Sequence, residues 1–216
     1  MKIKLLLISM LSVLILTGCN GAKNAVETEE AKDVIESSTE TEVITLNTEG
    51  STVTWKGEKV TGSNHIGTIE VKSGEVFFED KVLVGGNFIL DMTTIQENIE
   101  EQNEQLINHL RSDDFFSVES HPEASFEITN VTETESEGAT HTIEGNLTIK
   151  GISKNIEFEA YIQESNNVFA ATANFEIDRT DWDVRFGSGK FFDDLGDNAI
   201  KDAIEFQLNL VTNETE

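Results

Sequence analysis

Cys19, the only thiol in the chain, closes an apolar run in the stretch Leu16-Thr17-Gly18-Cys19. A lone cysteine can form no intramolecular disulfide and no thiolate-rich metal site. The four imidazoles, His65, His109, His121 and His141, fall on four separate predicted elements without a His-x-x-x-His spacing, which argues against zinc. Asp193-Asp194 and Asp197-Asn198 lack the spaced ligands and terminal glutamate of a calcium loop. Gly187-Ser188-Gly189 is one residue short of a nucleophile elbow and reads as a loop. No catalytic set, metal site or cofactor is expected, and the chain is not expected to be an enzyme.

The elements around Cys19 explain its position. Lys2 and Lys4, an apolar stretch from Leu5 to Leu16, and small residues before the cysteine form the three parts of a secretory signal. The run is too short to span hydrocarbon, which takes roughly 20 apolar residues. Leu16-Thr17-Gly18-Cys19 resembles the lipobox of bacterial lipoproteins. That resemblance implies removal of residues 1–18, a diacylglycerol thioether on Cys19 and acylation of the new amino terminus. Each buried methylene of such an anchor contributes about 0.8 kcal/mol. The expected address is the cell envelope, lipid-anchored to a membrane on its periplasmic face or at the cell surface. Residues 19–42 are rich in glutamate and serine with few large apolar side chains, the composition of a flexible acidic linker. As a coil it would reach roughly 25–30 Å.

The chain carries 15 Lys+Arg against 41 Asp+Glu, a net charge of -26, and loss of Lys2 and Lys4 with the signal makes it two units more negative. Such a surface repels nucleic acid and anionic headgroups. A nucleic-acid partner is excluded, and the anchor rather than electrostatics must hold the protein to its membrane.

Residues 43–214 form one domain in which a period of two dominates. Val53 and Trp55, Phe126 and Ile128, Ile143 to Ile149, Ile156 to Ile162, Phe169 to Ile177, and Ile204 to Leu210 alternate with polar residues, each stretch predicting a strand with one apolar face. Two more are predicted from Ile66 to Phe78 and from Val82 to Met92, joined through Glu79-Asp80-Lys81. Gly151 and Asn166-Asn167 supply turns. One segment, about 94–116, has helical spacing at Ile95, Ile99, Leu106 and Leu110, and Thr94 with Glu97 has the form of a capping box. The pattern predicts a mainly β domain of about eight antiparallel strands with one inserted helical segment, as a sandwich or a closed barrel.

Trp55-Lys56-Gly57, Ser63 to Ile69, His109 to Phe116, His121 to Phe126, Gly145 to Gly151 and Arg179-Thr180-Asp181-Trp182 occur in the order and spacing of a known family. Across nearly all of 43–214 the chain resembles the YceI family of lipocalin-like, polyisoprenoid-binding barrels. The family commonly has an aromatic before the proline where this chain has His121, so His121 takes no family role. The resemblance implies a single barrel enclosing an apolar isoprenoid or fatty chain. From alternation together with that resemblance, Trp55, Phe78, Phe88, Phe126, Phe158, Phe175 and Phe206 are candidates for the apolar lining. His65, Arg179 and Asp181 are candidates for a polar mouth, Arg179 having a structural ion pair as its other reading. A protein-interaction module with a packed interior is the alternative function. The Ile95 to Leu110 segment is a candidate face for a homodimer.

Overall fold

The computed structural model describes residues 24–98 and 103–214. Eight strands, β3 Thr52–Lys59, β4 Asn64–Glu79, β5 Val82–Glu97, β6 Glu123–Glu133, β7 His141–Ile149, β8 Ile152–Ser165, β9 Val168–Asp178 and β10 Ile200–Val211, pair antiparallel in sequence. β10 pairs with both β9 and β3, which closes the sheet into a barrel. Two short strands, β1 Thr28–Glu30 and β2 Glu42–Thr45, lie outside this ring, on β8 and β4 respectively. Three tight hairpins use residues with left-handed backbone: Asp80 and Lys81, Lys150 and Gly151, and Asn166 and Asn167. Two-residue loops of that conformation match the twist of the strands they join.

The helix is shorter than the spacing predicts. Thr94 to Glu97 continue β5, and α1 spans Glu104–Arg111, capped by Asn103, whose side chain accepts from Leu106 N. Ile99 lies outside the described residues. The period of two fails before the helix because β5 bulges against β4: Thr68 pairs with Gln96, but Glu70 pairs with Asp91. Extra residues on one strand interrupt the alternation of faces. Thr94 serves this bulge and not a cap, its hydroxyl donating to Asp91 O and accepting from Glu70 N. Arg111 then ties α1 to the bulge through Thr93 O and Ile95 O. Within the segment considered as a homodimer face, Ile95, Ile107 and Leu110 are buried toward the barrel.

The expected flexible linker is also corrected over its described part. Val26 N donates to Glu176 O, and β1 pairs with β8 through Thr28–Ile156 and Glu30–Lys154. Lys32 is held by both its peptide groups: its N–H donates to Asn146 Oδ1 at 3.0 Å and its carbonyl accepts from Asn146 Nδ2 at 2.7 Å. Asn155 Nδ2 braces that amide, donating to Asn146 Oδ1 and Thr129 Oγ1. Ile35 N reaches Ile128 O before the chain enters β2. This strap exists because β8 and β9 part company beyond Ala160–Ala173, leaving strand-edge groups that must find partners. Composition registers missing apolar side chains but not the backbone partners a split seam provides. Replacing Asn146 with alanine is expected to free the strap, raising amide exchange at residues 26–36 by about tenfold or more, for a loss of 1–3 kcal/mol. Unchanged protection there would show that Asn146 does not hold it.

Candidate functional site

Register puts large rings on one inner level of the barrel. Trp55 stands opposite Phe206, Phe206 opposite Phe175, and Phe88 opposite Phe126; directly opposed residues share a face. Two glycines make room for them. A Cβ on Gly67 would lie 2.6 Å from the Trp55 ring, and one on Gly145 would lie 2.3 Å from the tip of Phe126. Glycine within a strand marks such close approach. Ring centroids follow at 5.3 Å for Phe88–Phe126, 5.5 Å for Phe126–Phe158, 4.3 Å for Phe158–Phe175 and 6.0 Å for Phe175–Phe206.

Two chambers lie on either side of this belt. The upper one, about 160 Å³, is walled by Trp55, Phe175 and Phe206 and roofed by Leu106 and Leu110 of α1 with Phe115 and Phe116. The lower one, about 80 Å³, is walled by Phe78 and the small residues Ala160, Ala171 and Ala173, and Phe78 packs on Phe169 at 4.3 Å. Phe88, Phe126 and Phe158 border both. All seven aromatic candidates therefore point inward. The roof residues were not singled out by alternation alone; their signal is an apolar helical face followed by two phenylalanines with no strand to serve.

The polar candidates for the upper mouth divide. His65 lines it, its Nδ1 2.5 Å from Glu97 Oε1. Arg179 also borders the chamber but is only 1% exposed. Its Nε donates to Lys201 O, its two terminal nitrogens to Val184 O and Ile200 O, and Asp202 Oδ1 lies 3.5 Å away. Burial pulls the guanidinium pKa down, against the opposing pull of Asp202 and Asp178. Arg179 is thus a clamp on its own chain and not a free headgroup site. Asp181 does not reach the mouth: it accepts from Thr28 Oγ1 and pins the strap. The 3-10 turn Arg179–Trp182 explains the split, since residues two apart fall on different faces at three residues per turn.

Asp178 caps that turn, accepting from Thr180 N, Thr180 Oγ1 and Lys190 Nζ. Burial alone would push its carboxyl up, but Lys190 and Thr180 together outweigh it and hold the group below the ordinary value of 3.8. A depressed folded-state pKa gives stability that is present above the unfolded pKa and lost as pH falls through the folded one. Asp178→Asn is therefore expected to cost about 1–2 kcal/mol at pH 7, with the gap to wild type narrowing below about pH 4. Urea titrations at pH 7 and pH 3 measure it; an equal gap at both would contradict the assignment.

Eight antiparallel strands closed around apolar chambers, with one helix over the mouth, define a small lipocalin-like barrel. Residues 44–212 match the YceI-like domain, and the chain belongs to that family. A UPF0312 protein of Pectobacterium carotovorum subsp. carotovorum is 31% identical over 71 residues, a match spanning 33% of this chain and 35% of that protein. A polyisoprenoid binding domain from Saccharophagus degradans, implicated in plant cell wall breakdown, superposes with a TM-score of 0.60 at 12% identity, covering 79% of this chain and 98% of that one. BcnA of Burkholderia cenocepacia gives 0.58 at 16% identity over 78% and 99%. At these identities the structural likeness is one of fold.

Proposed function

We infer that this protein is a membrane-anchored binding protein that holds an apolar isoprenoid or fatty chain inside its barrel, for lipid storage, transport or envelope stress, and catalyses no reaction. The observation that carries this reading is the upper chamber, whose walls are aromatic and aliphatic while its polar groups stay at the rim. Removal of apolar surface from water supplies affinity there without specific polar contacts. The solved domain from Saccharophagus degradans, described as polyisoprenoid-binding, supports the same class of ligand.

Two further features favour exchange with a bilayer. Phe186, Phe191 and Phe192 are 41%, 45% and 49% exposed on the loop after the 3-10 turn, and Phe186 packs beside the roof on His109 and Phe115. Acylation of Cys19 would add a short leash. Six residue steps separate Cys19 from Ala25, at most about 20 Å of chain, and Ala25 bridges to Glu176, three residues before Arg179, which borders the upper chamber. A docked strap thus replaces a long free arm and favours keeping the mouth near the membrane. Cys19 itself lies outside the described residues.

The alternative, an interaction module with a packed interior, gains support from the modest chamber volumes. The test is uptake. Serine at Phe186, Phe191 and Phe192 together is expected to slow transfer of a fluorescent prenyl or acyl lipid from vesicles by about tenfold while leaving final occupancy unchanged. Transfer at the wild-type rate would remove the loop from the account, and no transfer by either protein would favour the module.

A further inference from the structure

The interior is divided, and the division falls on rings. Phe88, Phe126, Phe158 and Leu208 are the residues common to both chambers. Phe126 contacts Phe88 on one side and Phe158 on the other, while Phe158 stacks on Phe175 with only 14° between their planes. These contacts run from β5 across β6 and β8 to β9 at one level, so they form a partition across the lumen.

Volume decides what each side can take. A cavity of about 150 Å³ walled by Leu, Ile and Phe accepts benzene; the upper chamber, at about 160 Å³, accepts a group of that size. The lower chamber, at about 80 Å³, accepts half as much. Neither alone takes a long chain, whereas the two, if joined through the waist, would make one continuous tunnel.

Among the waist rings, Phe158 is the one placed to move. Phe126 is confined by the backbone of Gly145, which leaves no space for even a methyl group beside the ring. Phe158 instead has the three alanines of the lower chamber beneath it. It also lies two residues before Ala160, where pairing of β8 with β9 begins, so its strand is not tied to β9 at that level. We propose that Phe158 selects ligand chain length: in place, it confines the ligand to the upper chamber, and displaced, it admits the chain's tail to the lower one. This rests on the carrier reading and adds a dimension to it, the number of carbons the protein accepts before its interior must rearrange.

Binding of n-alkanols from butanol to dodecanol to the purified protein, followed by native mass spectrometry, tests it. Wild-type affinity is expected to rise about fourfold per methylene and then flatten at about six to eight carbons. Phe158→Ala should move that break to longer chains by three carbons or more. Phe158→Leu, which keeps an apolar side chain in the core and covers the case in which alanine prevents folding, should move it the same way by less. The surface change Glu164→Ala should leave it in place. Binding without a break, or with the same break in wild type and a folded Phe158 variant, overturns the selector and leaves the carrier standing. No binding at any length overturns the carrier and the selector with it.

Discussion

Arg179→Leu is expected to destabilise the fold by about 3–5 kcal/mol, among the largest single effects in the molecule. The guanidinium holds the carbonyls of Val184, Ile200 and Lys201 and faces Asp202 while almost wholly buried. Leucine replaces its volume in part but leaves those carbonyls without their donor and the Asp202 carboxylate without its countercharge, and a buried charge without its partner is costly. Lysine is expected to recover little, because a point charge cannot serve diverging carbonyls as a planar fork does. Urea unfolding of the wild type, Arg179→Leu, Arg179→Lys and the double variant with Asp202→Asn measures the coupling. A loss under 1 kcal/mol would show that the arginine is not the clamp and would return it to the list of groups free to meet a ligand.

Trp182→Ala is expected to cost a similar 3–5 kcal/mol, a fall of about 8–15 °C in Tm for a chain of this size. Trp182 is fully buried, and its Nε1–H donates to Leu147 O on β7 at 2.9 Å. It therefore fastens the 3-10 turn, and with it the loop bearing the exposed phenylalanines, to the wall of the barrel. Calorimetry gives the magnitude; near-neutral behaviour would mean the turn is held by Arg179 and Asp178 alone.

The strands were legible in the sequence because each buries one face, so Val53 with Trp55 or Ile156 with Phe158 declares its orientation by spacing. Alternation together with the family resemblance named the seven candidate aromatics, and a register that sends every second side chain inward turns each of them toward the chambers. Arg179 and Asp181 could not be told apart in this way. Their divergence depends on a 3-10 turn of four residues, below the length at which periodicity carries information. The bulge at Thr94 was hidden for the opposite reason, because extra residues in a strand imitate the phase of a helix. The strap was hidden because its partners are backbone edges and the amides of Asn146 and Asn155, which leave no apolar mark at residues 25–36. Gly67 and Gly145 carried a signal that alternation ignores: a glycine in mid-strand is a statement about the ring that lies over it.

The central claim is that the barrel encloses an apolar ligand, and native mass spectrometry of a form starting after Cys19, exported in its own host and purified without added lipid or detergent, tests it most directly. The account predicts one noncovalent adduct of a few hundred daltons, apolar on extraction, and lost when Trp55 and Phe206 together are replaced by residues that wet the upper chamber. A clean ligand-free mass from a folded protein, unchanged after incubation with prenyl or acyl lipids, would contradict it.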